Sequence, residues 1–117
     1  MKISLENASL NILLSRTEKF LALHGSFSVP CHLIESVETE PFRFGWVGFR
    51  APGAYFPGIL RMGTYYTQGR KEFWCARREE AILVLTLKNY PYQKIHLGFP
   101  EGEIFEWKEK IAACARS

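Results

Sequence analysis

The sequence predicts a mainly β protein with a C-terminal α-helix, and three observations carry that expectation. Short stretches between Lys2 and Leu97 alternate apolar and polar residues with the period of a strand. Ala81 to Leu87 (AILVLTL) is apolar almost throughout and rich in branched residues, as a strand covered on both faces requires. After Pro100, Ile104, Trp107, Ile111 and Cys114 recur at spacings of three, four and three, which lays them along one helical face.

In chain order, Lys2–Glu6 and Ser9–Leu14 alternate on either side of Asn7-Ala8 and read as an antiparallel hairpin. Ser15-Arg16-Thr17-Glu18 has the form of a capping box, so a short helix is expected over about residues 16–24, with a third strand as the alternative. Phe27–Pro30 is a short extended piece, and Pro30 belongs at an edge or a strand end because it cannot donate to a ladder. A strand follows over about Ile34–Thr39. Arg61–Thr67 and Lys71–Arg77 form a hairpin across Gln68-Gly69-Arg70, where Gly69 supplies the positive φ of a tight turn. Gln93–Leu97 is the last strand. Glu101, Glu103 and Glu106 stand early in the closing helix and Lys108, Lys110 and Arg116 late, the order that the helix dipole favours. About seven strands and one or two helices result, as an antiparallel barrel or sandwich.

The 117 residues, 47% of them hydrophobic, predict a single domain over 1–117 with a real core. No initial apolar run with a cleavage site is present, and no stretch approaches eighteen apolar residues, so neither a secretory signal nor a transmembrane helix is expected. Cys31, Cys75 and Cys114 are odd in number and far apart, which argues against a disulfide framework and predicts a cytoplasmic setting. Asn7-Ala8-Ser9 matches a glycosylation triplet but reads as a turn. A net charge of +3 is too small to imply nucleic acid. The chain contains no aspartate, so triads and metal sites built on that residue are excluded.

The stretch from Phe42 to Arg70 stands apart. It holds six of nine glycines, eight aromatic residues, four arginines and no acid, and so carries +4 against −1 for the remainder. Pro52-Gly53 and Pro57-Gly58 repeat within it. Residues 42–60 are expected as a long loop, and loops of that length are usually functional. Arginines beside aromatic rings are the composition of binding hot spots. Arg43, Trp46, Phe49, Arg50, Tyr55, Phe56 and Arg61 are therefore the candidate binding residues. The competing expectation is that the rings plug the interior.

Val29-Pro30, Ile34-Glu35-Ser36-Val37, the Gly-rich loop, Ile82–Thr86 and the Pro-led closing helix together resemble the small bacterial pleckstrin-homology-like domains, over roughly residues 26–115. Gly48-Phe49-Arg50-Ala51-Pro52-Gly53 with Pro57-Gly58 also looks like a string found in uncharacterised small bacterial proteins. The resemblance implies a pleckstrin-homology-like barrel or sandwich that binds or scaffolds and does not catalyse. It does not imply phosphoinositide recognition. Lipid-binding members place basic residues around the first hairpin turn, whereas this turn is Glu6-Asn7-Ala8-Ser9.

The remaining candidate chemistry is sparse. His24, His32 and His96 have no metal-ligand spacing, and adjacent Cys31-His32 point apart on a strand, so no metal is expected. No phosphate-cradling or dinucleotide motif is present and no cofactor is expected. Cys75, near Arg77 and Arg78, is a candidate thiol nucleophile. The competing reading makes it a small core residue on the side of Phe73, opposite Trp74. Three functions follow in falling order. The first is a non-catalytic module that contacts a protein partner, or a second copy, through residues 42–60. The second is an anion-binding protein using Arg50 and Arg61, and the third a thiol enzyme using Cys75.

Overall fold

The computed structural model describes residues 1–22, 25–41, 49–56, 60–67, 69–77 and 80–116. Its elements run β1 (Lys2–Glu6), β2 (Ser9–Leu13), α1 (Arg16–Ala22), β3 (Phe27–Pro30), a 3-10 turn (Cys31–Leu33), β4 (Ile34–Pro41), β5 (Phe49–Phe56), β6 (Leu60–Thr67), β7 (Arg70–Arg77), β8 (Ala81–Leu87), β9 (Lys94–Phe99) and α2 (Glu101–Arg116). The expected class holds: mainly β, with a C-terminal helix.

The strands form two open sheets. One is three-stranded, in the order β1-β2-β3, and the other six-stranded, in the order β4-β8-β9-β7-β6-β5. Of the two architectures expected, the sandwich is found and the closed barrel is not. All neighbours are antiparallel except β7 and β9, which run parallel, with Phe73 opposite Ile95 and Cys75 opposite Leu97. The parallel pair corrects the all-antiparallel expectation. The chain reverses direction between β7 and β8 and again between β8 and β9, and β9 inserts between the two, so it runs parallel to β7.

Local signals explain the small sheet. Asn7 and Ala8 both take positive φ, 53° and 59°, the conformation of a two-residue hairpin turn whose twist matches the strands. Ser15 Oγ accepts from the Glu18 amide at 3.2 Å and Glu18 Oε1 accepts from the Ser15 amide at 2.8 Å. The capping box therefore forms and α1 is a helix, not a strand. His24, at the expected end of this helix, lies outside the described residues.

The expected 42–60 loop is shorter than predicted. Phe49–Phe56 is a strand that pairs with β6, with a register shift between Arg50 and Gly53. Gly and Pro masked it, because a bulge accommodates Pro52-Gly53 in a ladder that composition alone argues against. Phe27–Pro30 also joins a sheet. The short piece pairs with β2 from Phe27 opposite Ile12 to Pro30 opposite Ser9.

The main core lies between the sheets and under α2. It includes Leu10, Ile12 and Val29 from the small sheet, Phe73, Leu83, Leu85, Ile95 and Leu97 from the large one, and Ile104 and Ile111 from α2. Phe73, Cys75, Leu83, Leu85, Ile95 and Leu97 share this face, while Trp74, Ala76, Ile82 and Val84 belong with Tyr65 to a second buried cluster. β8 is thus buried on both sides, as its sequence predicts. α1 lies against β5 and β6, and α2 against β4, β8 and the 3-10 turn.

One expectation is overturned. Cys31 and Cys114 form a disulfide across 83 residues, with Cα atoms 5.7 Å apart. Cys114 belongs to the apolar stripe of α2 as expected, but that stripe delivers it to the 3-10 turn, where it bonds instead of merely packing. A crosslink that closes so long a loop restricts the unfolded chain strongly. Cys31→Ser or Cys114→Ser should lower stability by about 2–5 kcal/mol in denaturant unfolding, and the wild type under reductant should match the variants.

Candidate functional site

The predicted binding residues fall on one hairpin. Phe49, Arg50, Tyr55 and Phe56 belong to β5, the last strand of the large sheet, and Arg61 to β6. Tyr55 stands directly opposite Arg61, Arg50 opposite Tyr65, and Phe49 opposite Tyr66. Arg43 and Trp46 lie outside the described residues, as does the question of whether the rings of this segment point inward.

A second constellation surrounds Glu18. Its residue is 1% exposed, and the carboxylate is met on several sides. The Met1 ammonium lies 2.6 Å from Oε1, Arg77 donates to Oε2 at 3.3 Å, and the Ser15 amide donates to Oε1. Burial alone would raise the Glu18 pKa. The ammonium and the Ser15 bonds outweigh it and hold the carboxyl below its ordinary value. Beside this cluster opens a cleft of about 440 Å³, lined by Lys2, Glu80, Glu103, Phe99 and Trp107 among others. Its size suits a small ligand. Its charges are mixed: Lys2 and Arg77 share the wall with Glu18, Glu80 and Glu103.

Cys75 borders the same cleft, with Sγ 4.0 Å from Glu18 Oε2. It is 3% exposed and the free cysteine of the described chain. Burial, reinforced by the Glu18 charge, pushes the thiol up to about 12, against the opposing pull of the ammonium and Arg77. The nearby arginine does not activate it, because burial and the Glu18 charge outweigh its pull. Cys75 is a protonated core thiol at neutral pH, as the packing reading of the sequence predicts.

On the opposite sheet face His96 meets Glu72, whose Oε1 accepts from Nε2 at 2.8 Å. Cross-strand pairing of β7 and β9 sets Trp74 beside His96, and the rings stack at 3.8 Å with a 6° tilt. Burial raises the Glu72 pKa, but the His96 bond and the charges of His96, Arg70 and Lys94 bring it below its ordinary value. An imidazole oriented by a carboxylate is the arrangement of a general base. At 5% exposure, however, His96 is a core residue: Nε2 is held by Glu72, and its buried Nδ1 has no hydrogen-bond partner among the described residues. His32 is exposed. No group of three metal-ligating side chains occurs among the described residues.

Sequence reasoning missed Glu18 and Glu72 as buried charges. The capping box marked Glu18 as a helix cap but not as a partner for Arg77, which lies 59 residues away. Glu72 had a readable signal. It alternates with Phe73 on a strand, on the side of Trp74, so it shares a face with a large ring.

Two measurements test these assignments. Both glutamates have depressed folded pKa values, so their stabilisation is complete above the unfolded value near 4.5 and is lost as pH falls through the lower folded values. Stability should therefore decline below about pH 4.5, and Glu18→Gln should flatten that decline while lowering stability at pH 7. Cys75 in the native protein should alkylate roughly 10³-fold more slowly at pH 7 than an ordinary thiol, from its thiolate fraction alone, and at an ordinary rate once unfolded.

No protein-family model matches this chain, no curated protein matches it, and no solved structure matches it.

Proposed function

We propose that this protein is a non-catalytic binding module that contacts an acidic protein partner through the segment 42–61. The observation that carries the reading is the β5–β6 register, which gathers Phe49, Arg50, Tyr55, Phe56 and Arg61 on the terminal hairpin of the large sheet. That hairpin lies within the stretch that carries +4 and no carboxylate. Arg50 faces Tyr65, and Arg61 precedes Tyr65 by four residues along β6, a separation of about 13 Å at strand rise. Two cations so spaced suit an extended acidic surface better than one small anion.

The contact uses side chains, not an added strand. Pro52 and the register shift beside it interrupt the ladder of β5, and such features are how natural sheets blunt an edge. A second copy is a poor occupant of this surface, because a two-fold contact would set like charges against each other. Burial of Cys75 and its raised pKa favour this reading over the thiol-enzyme alternative. The role is the one that the pleckstrin-homology-like resemblance implies, without its phosphoinositide chemistry. Cytoplasmic placement rested on unpaired cysteines, and the Cys31–Cys114 bond removes that ground.

Binding of poly-L-glutamate, followed calorimetrically at low salt, tests this. The wild type should bind, with affinity falling as salt rises. Arg50→Ala and Arg61→Ala should each weaken binding roughly fivefold. Inorganic phosphate should leave the melting temperature unchanged. Absence of wild-type binding, or binding by both variants as tight as that of the wild type, would sink the proposal.

A further inference from the structure

Two open sheets have four edges, and the chain treats one of them differently from the rest. β5 carries Pro52 and a register shift. β4 ends at Pro41, shifts register between Ile34 and Ser36, and carries Glu35, Glu38 and Glu40. β3 ends at Pro30, which has no amide hydrogen, and its Ser28 carbonyl already accepts from Tyr90 Oη at 2.9 Å. These are the recognised protections against strand addition. β1, with the sequence Lys2-Ile3-Ser4-Leu5-Glu6, has no proline, no bulge and, among the described residues, no strand neighbour except β2.

The hydrogen-bond phase of that edge follows from the turn. A two-residue turn at Asn7-Ala8 makes Glu6 and Ser9 the closing hydrogen-bonded pair. Bonded and non-bonded pairs then alternate, so Lys2, Ser4 and Glu6 bond to β2. Ile3 and Leu5 turn their amides and carbonyls outward.

We propose that β1 is a self-pairing edge, and that two copies of this chain join antiparallel through it about a two-fold axis at Ser4. This register is self-complementary. Each Ile3 meets the partner's Leu5 as a hydrogen-bonded pair, using the outward-facing backbone groups. Each Lys2 lies opposite the partner's Glu6, in the closer non-bonded type of pair, where opposite charges stabilise. Leu5, half-buried in one copy, gains cover. Lys2 and Glu6 are exposed and form no ion pair among the described residues, so both charges are available to a partner. The dimer is isologous, with the two three-stranded sheets continuous across the axis. It does not rest on the 42–61 surface.

Sedimentation velocity from about 1 µM to 1 mM reads the outcome. The wild type should approach twice the 13.5 kDa monomer mass as concentration rises. Lys2→Glu and Glu6→Lys each set like charges opposite one another at two places, and each should weaken dimerisation about tenfold or more. The double variant Lys2→Glu/Glu6→Lys exchanges the charges and should restore the wild-type affinity. Ser4→Lys, with two ammonium groups at the axis, should leave a monomer. Circular dichroism should show all four folded, since the changed side chains are not core residues. Phe56→Ser should leave the dimer intact, which separates this inference from the binding surface. A wild type that stays monomeric to 1 mM overturns the proposal. So do single reversals without effect, and a double variant that dissociates as the singles do.

Discussion

A carboxylate removed from water must be met by charge or by donors on every side, or it takes up a proton. Glu18 meets that condition with groups from three separate places. The capping box supplies one amide, Met1 just before β1 supplies the ammonium, and β7 supplies Arg77. One side chain on a seven-residue helix thereby ties the three-stranded sheet to the six-stranded one. Breaking any one contact leaves a buried charge short of partners, so the three elements are specified together. The same carboxylate sets the chemistry of its surroundings. It raises the Cys75 thiol, engages Arg77, and adds to Glu80 and Glu103 a third carboxylate on the wall of the adjoining cleft.

Openness is the second constraint. A barrel has no edges, whereas a sandwich of three and six strands has four. Proline, register shifts and a tyrosine hydroxyl close three of them to further pairing. These devices explain why proline occurs in or at the end of β3, β4 and β5, a distribution that looks from composition like a string of loops. The aromatic and basic hairpin at one margin and the regular β1 edge at another are then distinct surfaces. The first is rich in side-chain chemistry and poor in free backbone, and the second is the reverse.

The six-stranded sheet also buries polar groups on the face away from the main core. Glu72 pairs there with His96 Nε2, and the flat stack of His96 on Trp74 fixes the ring orientation on which that bond depends. Parallel pairing of β7 with β9 is what makes the stack possible, because it sets Trp74 and His96 directly across from one another. The disulfide plays the corresponding part at the other end of the fold, holding the last turns of α2 to the 3-10 turn.

The sequence by itself determined the elements whose cause is local. The Ser15–Glu18 reciprocal bonds, the Asn7-Ala8 turn, the Gly69 turn, the doubly buried β8 and the stripe of α2 each arise from residues a few positions apart. Periodicity and capping act over that range. The seven candidate binding residues were legible as a cluster in composition, although the place of Phe49, Arg50, Tyr55 and Phe56 in a strand was hidden by Pro52-Gly53. Only the tertiary structure decided the sheet order, the parallel pair, the burial of Glu18 and the bond between Cys31 and Cys114. Each depends on groups brought together from far along the chain, up to 83 residues apart for the disulfide. A linear pattern carries no signal for such meetings, because the free energy that selects them belongs to the packed whole and not to any window of sequence.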